Sequence, residues 1–383
     1  MQEDVGPLGD EIVSMCRGMG FALAGVCPAE PSSRARELVA WLEAGRHGTM
    51  GWMEQRLEER LDPAAMLPGA RSMILVADLY ETRREAPAQK PRTPRLGRIA
   101  RYARGDDYHT VIKKRLHTLC DALRERHPDE QFRAFTDTAP VLEREHASRA
   151  GLGWIGKHTL LIHPRLGSYM LLGGALTTLD IDPPAEQQPV QDHCGACTRC
   201  IDACPTDAIT PYSVDASRCI SYLTIEHRER IDPEFHEPIG DWLFGCDICQ
   251  EVCPHNSPRH APGPWDAVGA NPAYTPRREG FDVLEVLGWS EDDRRAAFTK
   301  SSMKRAKLEM MKRNALIVAG NILRERADPD LLAAIQRIAN DELEPDQVRA
   351  AAIDVLDSRR GLNAEEHGGT RRKRESEEES ERG

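Results

Sequence analysis

The sequence predicts an α+β protein made of three consecutive regions. Helix and strand patterns alternate in the N-terminal half, eight of the eleven cysteines fall between Cys194 and Cys253, and the C-terminal part has helical periodicity. Pro-rich segments flank the cysteine-rich part and indicate loops at both of its ends. The predicted regions are residues 1–185, 186–262 and 263–358, followed by a charged tail over 359–383 that we expect to be disordered.

Length, hydropathy and charge restrict the class of protein. A chain of 383 residues can form two or three compact domains, and no apolar stretch is long enough to span a membrane. The N-terminus is acidic and lacks the basic-then-apolar order of a secretory signal, so we expect a soluble, cytoplasmic protein. The formal net charge of −11 argues against indiscriminate binding to nucleic acid.

The N-terminal region has the patterns of a sheet packed against helices. The apolar run from Ser72 to Leu79 predicts a strand, and the segments FRAFTDTAP and SYMLLGGALTTLDI predict two more. The segment GDEIVSMCRGMGFALAGV predicts a helix that leads into a strand. Apolar residues at helical spacing, among them Leu116, Leu119 and Leu123, predict a long helix within YHTVIKKRLHTLCDALRERH.

The cysteine-rich region carries the most specific signal. The run CGACTRCIDACP has the C-x2-C-x2-C-x3-C-P spacing of bacterial-type ferredoxins, in which the fourth cysteine ligates the other cluster. The later run CDICQEVCP has the same final spacings but lacks one cysteine of the four. Cys219, which belongs to neither run, is the free candidate to replace it.

By this crossed assignment the eight cysteines hold two [4Fe-4S] clusters with four ligands each. The first set is Cys194, Cys197, Cys200 and Cys253, and the second set is Cys204, Cys219, Cys246 and Cys249. The alternative is two zinc sites, which also use C-x2-C pairs but do not need a proline after the last cysteine of each run. The remaining cysteines, Cys16, Cys27 and Cys120, are predicted to be buried core residues.

The C-terminal region predicts paired helices. The segments KRNALIVAGNIL and VRAAAIDVLDS resemble each other at an offset of 36 residues, and DPDLLAAIQRIAN supplies a helix between them. This period is typical of HEAT-like repeats. Two repeats are too few to form a stable array alone, so we expect them to pack on the rest of the protein.

Two basic blocks interrupt the acidic composition. The blocks Arg83–Arg104 and Arg294–Arg313 each contain eight basic residues and one acid. Together they could form a localised anion-binding surface, and the alternative is that each is only a solvated face. The candidate phosphate contacts in the second block are Lys300, Lys304, Arg305 and Lys307.

Several segments, taken together with the cysteine runs, resemble the epoxyqueuosine reductase family. They are GTMGWMEQR from Gly48, RYARGDDYH from Arg101, DTAPVLEREHASRAGLGWIGKHTLLIHPRLGSYM from Asp137, and ISYLTIE from Ile220. The resemblance implies a cobalamin-binding catalytic domain similar to that of reductive dehalogenases, two [4Fe-4S] clusters and HEAT-like repeats. It also implies the reduction of epoxyqueuosine to queuosine at the wobble position of tRNA, the last step of queuosine biosynthesis.

The resemblance assigns Asp137 the role of proton donor. Epoxide opening leaves an alkoxide that needs a proton as the C–O bond breaks. We expect burial beside a flat apolar macrocycle to raise the pKa of Asp137 and to keep it protonated near neutral pH. The residues alone leave open a different role, in which Asp137 or Thr138 caps a helix that begins near Pro140.

The same resemblance implies further cobalamin contacts. Three glycines surround Trp154 in GLGWIGKH and would let the backbone approach a flat ligand, although such a segment can also be a simple turn. His158 can likewise be an ordinary surface histidine. The implied cobalamin contacts besides Asp137 are Arg56, Tyr102, Trp154, Gly156, Lys157, His158, Ser221 and Asp247.

We therefore predict a monomeric enzyme that receives electrons from a flavodoxin- or ferredoxin-type donor and passes them through the clusters to cobalamin. One alternative is a dehalogenase-like, cobalamin-dependent reductase of a small molecule, which predicts no contact with tRNA. Another is a non-catalytic iron–sulfur electron-transfer or scaffold protein, which predicts no corrin in the purified protein.

Overall fold

The computed structural model describes residues 7–82, 94–258 and 267–360. The predicted disorder of the tail from 361 onward, and the part of the first basic block over 83–93, lie outside the described residues. Within the described residues, no helix is long and apolar enough to cross a membrane.

The elements follow each other as a mixture of short strands and helices. The strands are β1 (Leu23–Pro28), β2 (Ser72–Leu79), β3 (Leu96–Ile99), β4 (Phe132–Phe135), β5 (Trp154–Ile155), β6 (Leu161–Ile162), β7 (Met170–Thr177), β8 (Ile209–Thr210), β9 (Ser213–Val214), β10 (Trp242–Phe244) and β11 (Gly280–Asp282). The helices up to the cysteine-rich region are α1 (Leu8–Gly18), α2 (Ala35–Glu43), α3 (Leu57–Leu61), α4 (Pro63–Met66), α5 (Tyr108–Arg126) and α6 (Glu143–Arg149). The later helices are α7 (Arg199–Asp202), α8 (Ile220–Ile225), α9 (His236–Ile239), α10 (Ile248–Glu251), α11 (Val283–Leu287), α12 (Glu291–Ala297), α13 (Leu308–Glu325), α14 (Pro329–Asn340) and α15 (346–360).

A four-stranded antiparallel sheet, in the order β1-β2-β7-β4, forms the centre of the N-terminal region. Strand β2 is buried along its whole length because both faces of the sheet are covered. Ile74 and Val76 pack towards α1 and α5, whereas Met73 and Leu75 pack towards α6. The sheet with helices on both faces confirms the predicted mixed class. Cys16, Cys27 and Cys120 lie in its two cores, as predicted.

Helix α5 brings its first residues to the end of β4. Asp107 caps the helix by accepting a hydrogen bond from the backbone N–H of His109. Its apolar residues recur every three or four positions and are fully buried against the sheet, for example Leu116 and Leu119. The helix ends before Pro128, whose ring disfavours helical backbone in the residue preceding it.

A second sheet joins the three sequence regions. Its order is β10-β3-β11, with β10 parallel and β11 antiparallel to β3. The central strand comes from the N-terminal region, and its neighbours come from the cysteine-rich and C-terminal regions. The C-terminal region is therefore not purely helical, which corrects the prediction, because the short GFD segment supplies an edge strand. At this pairing a Cβ atom on Gly280 would lie 2.0 Å from the carbonyl oxygen of Gly97, so only glycine fits.

Helix α13 is the centre of the C-terminal core. It packs against α9, β10, α11 and α14, and Gly320 lets Val355 of α15 approach it closely. The predicted helices within KRNALIVAGNIL, DPDLLAAIQRIAN and VRAAAIDVLDS are confirmed as α13, α14 and α15. Their description as HEAT-like repeats stays a prediction.

Candidate functional site

The first set of cysteines surrounds a cavity beside the β5–β6 hairpin. Burial raises the pKa of the Cys200 thiol, and the neighbouring thiols of Cys253 and Cys194 raise it further. The Cys253 thiol in turn has Cys194 and Cys197 as electrostatic neighbours. All four side chains line the same cavity. The fold therefore brings Cys253 next to Cys200, although the two residues are far apart in the sequence, as the crossed assignment expects.

The second set gathers in the same way around α8 and α10. Burial raises the pKa of the Cys249 thiol, and the neighbouring thiols of Cys246 and Cys219 raise it further. Burial also raises the pKa of Cys246, which has Cys219 and Cys204 among its neighbours. Cys219, which belongs to neither run, thus lies with the cysteines it was predicted to join. Within the described residues, no three His, Cys, Asp or Glu side chains are arranged around a single metal ion.

The amino end of α8 holds Cys219. This cysteine is the N-cap residue of the helix, and its side chain makes no capping hydrogen bond. Burial raises the pKa of the thiol, and the nearby backbone N–H groups of Tyr222 and Ser221 oppose that rise. These N–H groups therefore favour a thiolate at Cys219, and Ser221 acts on it through its main chain.

Asp137 lies in the loop after β4, directly opposite the start of α5. Its Oδ2 is 2.9 Å from Nε2 of His109, and its side chain is 42 % exposed. Its backbone N–H donates to Oε1 of Glu143 at 2.6 Å, and its φ of 41° is in the left-handed region. Asp137 caps no helix, because α6 begins at Glu143 with Leu142 at its N-cap and no side-chain cap. The capping alternative is therefore wrong.

The acid–base balance of Asp137 differs from the expectation. Exclusion of water by the surrounding protein raises the pKa of Asp137, but the hydrogen bond and charge of His109 outweigh it, and the pKa lies below its usual value. Burial lowers the pKa of His109, but hydrogen bonds to Asp107 and Asp137 reverse this and raise the pKa to about 9. At neutral pH the proton is therefore on His109, whose Nδ1 and Nε2 donate to the two carboxylates.

Tyr102 and Asp247 connect this pair to the second cysteine set. Burial raises the pKa of Tyr102, and the charge of Asp137 adds to the effect, with a smaller contribution from Asp247. Asp247 lies between Cys246 and Cys249 in the sequence. Its side chain is buried and accepts a hydrogen bond from the backbone N–H of Arg101 at 2.8 Å. Tyr102 is therefore an electrostatic neighbour of both Asp137 and Asp247.

Other predicted cobalamin contacts have neighbours elsewhere. The Cβ position of Gly156 would lie 2.4 Å from Cδ1 of Ile162, so this glycine is needed for packing inside the hairpin. Lys157 Nζ donates to the carbonyl oxygens of Gly195 and Cys197 at 2.7 and 3.1 Å. Trp154 packs against Cys194 and Cys253, and His158 lines the cavity of the first cysteine set. Arg56, at φ 56°, pairs with Glu59 at 2.9 Å. Their role in cobalamin binding stays a prediction.

Comparisons with known proteins agree with these features. Residues 60–138 match the family described as "Epoxyqueuosine reductase QueG, DUF1730", and residues 193–256 match the "4Fe-4S double cluster binding domain". The chain is 38 % identical over 314 residues to an epoxyqueuosine reductase of Leadbetterella byssophila, which covers 80 % of this chain and 97 % of the relative. The chain belongs to the epoxyqueuosine reductase family.

Solved structures of this family have the same fold. A structure of an epoxyqueuosine reductase with an epoxyqueuosine-modified tRNA-Tyr stem loop aligns with a TM-score of 0.76 at 28 % identity, covering 90 % of this chain and 88 % of that one. A Bacillus subtilis epoxyqueuosine reductase, solved with its aspartate-bearing catalytic loop swung out of the active site, aligns with a TM-score of 0.75 at 27 % identity and the same coverage.

In this family member, part of the second basic block lies beside Asp137. Arg305 pairs with Glu226 at 3.0 Å, and its charge helps to lower the pKa of Asp137. Lys304 is exposed, and its charge helps to lower the pKa of Asp107. Lys300 and Lys307 are also exposed, and the carbonyl oxygen of Lys300 accepts the backbone N–H of Asp107.

Sequence reasoning missed His109 and Glu143. The segment RYARGDDYH drew attention to His109 without giving it a role, although a histidine two residues after an N-cap aspartate was a usable signal. Glu143 carries no such signal, because its contact with Asp137 depends on the turn between β4 and α6. Burial and the charge of Asp137 raise the pKa of Glu143 to about 8.

Proposed function

We propose that this protein reduces epoxyqueuosine to queuosine at the wobble position of tRNA, using cobalamin fed by two [4Fe-4S] clusters, with Asp137 as the proton donor. The observation that carries the proposal is the Asp137–His109 pair, which holds a proton beside a basic surface and within the same fold as two complete cysteine sets. The relative solved with a modified tRNA stem loop supports tRNA as the substrate. The relative with an aspartate on its catalytic loop supports Asp137, which lies on the loop between β4 and α6.

The residues present fit the cofactors to different degrees. The two cysteine sets each supply four thiols, which is the ligand number of a [4Fe-4S] cluster. Tyr102 and Asp247 would hold cobalamin between the second cysteine set and Asp137, since Tyr102 is an electrostatic neighbour of both acids. Gly156 offers no open cradle because Ile162 fills the space. When bound, cobalamin would supply electrons to the epoxide carbon.

The residues of the chain would control the proton. Two electrons and two protons convert the epoxide into an alkene and water. Because the proton is on His109 before the reaction, Asp137 would pass it from Nε2 of His109 to the epoxide oxygen as the C–O bond breaks. Asp107 would keep the imidazole oriented, since it accepts from Nδ1 at 2.8 Å.

The remaining parts of the proposal concern partners. We infer a flavodoxin- or ferredoxin-type electron donor, a monomeric state and a cytoplasmic location, where tRNA modification takes place. The base to be reduced has to leave the anticodon stack to reach a buried cofactor, as it does in other base-modifying enzymes. Lys300, Lys304, Arg305 and Lys307 would then contact phosphates near the entrance.

The test is the Asp137→Asn variant, which keeps the volume of the side chain and removes the carboxylate that would pass the proton from His109. We expect turnover on tRNA carrying epoxyqueuosine to fall by about 100-fold or more, the usual contribution of a general acid. Iron and corrin contents should equal those of the parent protein, and both should be measured together with the nucleosides released from the tRNA.

The matched control is Asp106→Asn, a half-exposed carboxylate on the neighbouring loop that pairs with Arg277 at 3.5 Å. It should retain parental turnover. Near-normal turnover of Asp137→Asn would remove Asp137 from the mechanism. If the parent protein, loaded with both cofactors, reduced a small-molecule substrate but not the modified tRNA, the dehalogenase-like alternative would replace the proposal.

A further inference from the structure

His158 has a buried imidazole whose tautomer is defined by its surroundings. The side chain is 3 % exposed, and its Nδ1 accepts a hydrogen bond from the backbone N–H of Leu160 at 3.2 Å. Because Nδ1 accepts this hydrogen bond, it carries no proton, and the ring is neutral. A neutral imidazole carries one proton, and since Nδ1 accepts, that proton is on Nε2.

The Nε2–H group of His158 has no hydrogen-bond partner among the described residues. Leaving a buried donor unpaired is costly, so this group is expected to meet an acceptor when the cavity is filled. His158 lines the cavity of the first cysteine set, together with Cys194, Cys197, Cys200 and Cys253. The polar groups that share this wall are Lys157, His193, Arg199 and His255. Lys157 is engaged with the carbonyl oxygens of Gly195 and Cys197.

We propose that Nε2–H of His158 donates a hydrogen bond to a sulfur atom of the cluster held by Cys194, Cys197, Cys200 and Cys253, and thereby raises the reduction potential of that cluster. The proposal rests on the two [4Fe-4S] clusters of the proposed function. The positive end of an N–H dipole stabilises the extra electron of the reduced cluster, and hydrogen bonds to sulfur are an established determinant of cluster potential.

The assignment separates the roles of His158 and Tyr102. A residue that contacts the corrin should affect corrin binding, whereas a donor to the first cluster should affect only the potential of that cluster. The indole N–H of Trp154 is also buried without a partner among the described residues, and it packs near Cys194 and Cys253. His158 is the stronger candidate because its side chain lines the cavity itself.

The experiment is a redox titration of the full chain, followed by electron paramagnetic resonance, with reconstituted clusters and no substrate. In His158→Phe, which removes the donor, we expect the midpoint potential of one cluster to become more negative and that of the other to stay unchanged. His158→Gln, which restores an N–H donor, should bring the potential back towards the parental value. The matched control is His193→Phe, since His193 lines the same cavity but is exposed.

Two results would overturn the inference. One is an unchanged potential in His158→Phe with full iron content, and the other is a potential in His158→Gln equal to that of His158→Phe. If His158→Phe does not assemble its clusters, parental protein labelled with ¹⁵N-histidine decides the question. A ¹⁵N hyperfine coupling to the reduced first cluster that persists when His193 and His255 are each replaced supports the hydrogen bond, and its absence refutes it. A different outcome would separate the two proposals. If His158 sets the potential of the first cluster as expected but the protein does not reduce epoxyqueuosine, the proposed function is overturned and this inference stands.

Discussion

At the scale of single residues, the protein holds a proton between one imidazole and two carboxylates. His109 lies 2.8 Å from Asp107 and 2.9 Å from Asp137, and both hydrogen bonds favour its charged form. The same contact favours the ionised form of Asp137, because the positive charge of His109 lowers the pKa of the carboxyl group. The pair is therefore ionised at neutral pH, and delivery of a proton requires transfer from His109.

This arrangement predicts a pH dependence for turnover. The pKa of His109 is raised to about 9, so the proton is present at neutral pH and is lost as the pH rises through about 9. Turnover of the parent should fall through that range. In His109→Gln we expect turnover at pH 7 to fall by about 10- to 100-fold and the alkaline decline to disappear, measured as the initial rate of queuosine formation from pH 6 to 10.

His117→Gln is the matched control for this prediction, since His117 is an exposed histidine on the same helix. It should keep both the parental rate and the alkaline decline. An unchanged pH profile in His109→Gln would show that the titrating group lies elsewhere.

At the scale of elements, very short helices hold cluster ligands, and a long helix supports them. Cys219 caps α8, and Cys249 lies within α10, which packs against α7. Such short helices cannot be stable alone, so they depend on tertiary packing and on metal binding. Helix α13 supplies that support, because its fully buried Arg313 donates to carbonyl oxygens of Leu223 and Glu229 at 2.9 and 2.6 Å.

The assignment of Cys219 predicts a selective defect. Cys219→Ser should damage the second cluster and leave the first largely intact, because Cys219 is not among the four ligands of the first set. We expect the iron content to fall from about eight to about four per chain, with one of two resonance signals lost. Cys16→Ala, which changes a buried thiol in the N-terminal core, should keep about eight irons. Retention of both clusters in Cys219→Ser would show that another residue completes the second set.

At the scale of the whole molecule, two positively charged blocks stand out in a chain whose net charge is negative. The chain carries a net charge of −11, and the described arginines of the first basic block are largely paired with acids. Arg95 pairs with Asp328 at 2.8 Å, and Arg98 pairs with Asp241 at 2.7 Å. The second block also contains ion pairs, among them Lys307 with Glu309 at 3.7 Å, but its Lys304 is exposed and lowers the pKa of Asp107, and its Arg305 lowers that of Asp137. The second block is therefore the better candidate for contact with tRNA phosphates.

Charge reversal at Lys304 and Lys307 tests this surface. Arg305 is left unchanged because its charge acts on Asp137. The variant Lys304→Glu with Lys307→Glu should weaken binding to tRNA and lower the slope of log affinity against log salt by about 2, one unit for each lost phosphate contact. Binding is measured by titration at several salt concentrations, and iron and corrin contents should stay at parental values.

The control variant carries the same change in net charge outside both basic blocks. Arg36→Glu with Arg337→Glu changes two exposed arginines and should bind tRNA almost as the parent does. If the two variants weakened binding equally, the effect would be one of net charge, and the second block would be only a solvated face.

The sequence alone determined the features that depend on short-range spacing. The cysteine runs, the strand from Ser72 to Leu79 and the helix that became α5 were all predictable, because separations of two to four residues set whether side chains share a cluster, a strand face or a helix face. Family-specific segments also indicated Asp137 and the class of reaction. These features need no knowledge of how distant segments meet.

Only the tertiary structure decided what depends on distant segments. It paired Asp137 with His109 and so reversed the expected direction of the pKa shift, and it assigned the glycine at position 156 to packing against Ile162. It also joined β3, β10 and β11 into one sheet, against the expectation of a purely helical C-terminal region. The physical reason is that a pKa and a strand pairing are set by neighbours in space, and residues far apart in sequence become neighbours only when the core packs.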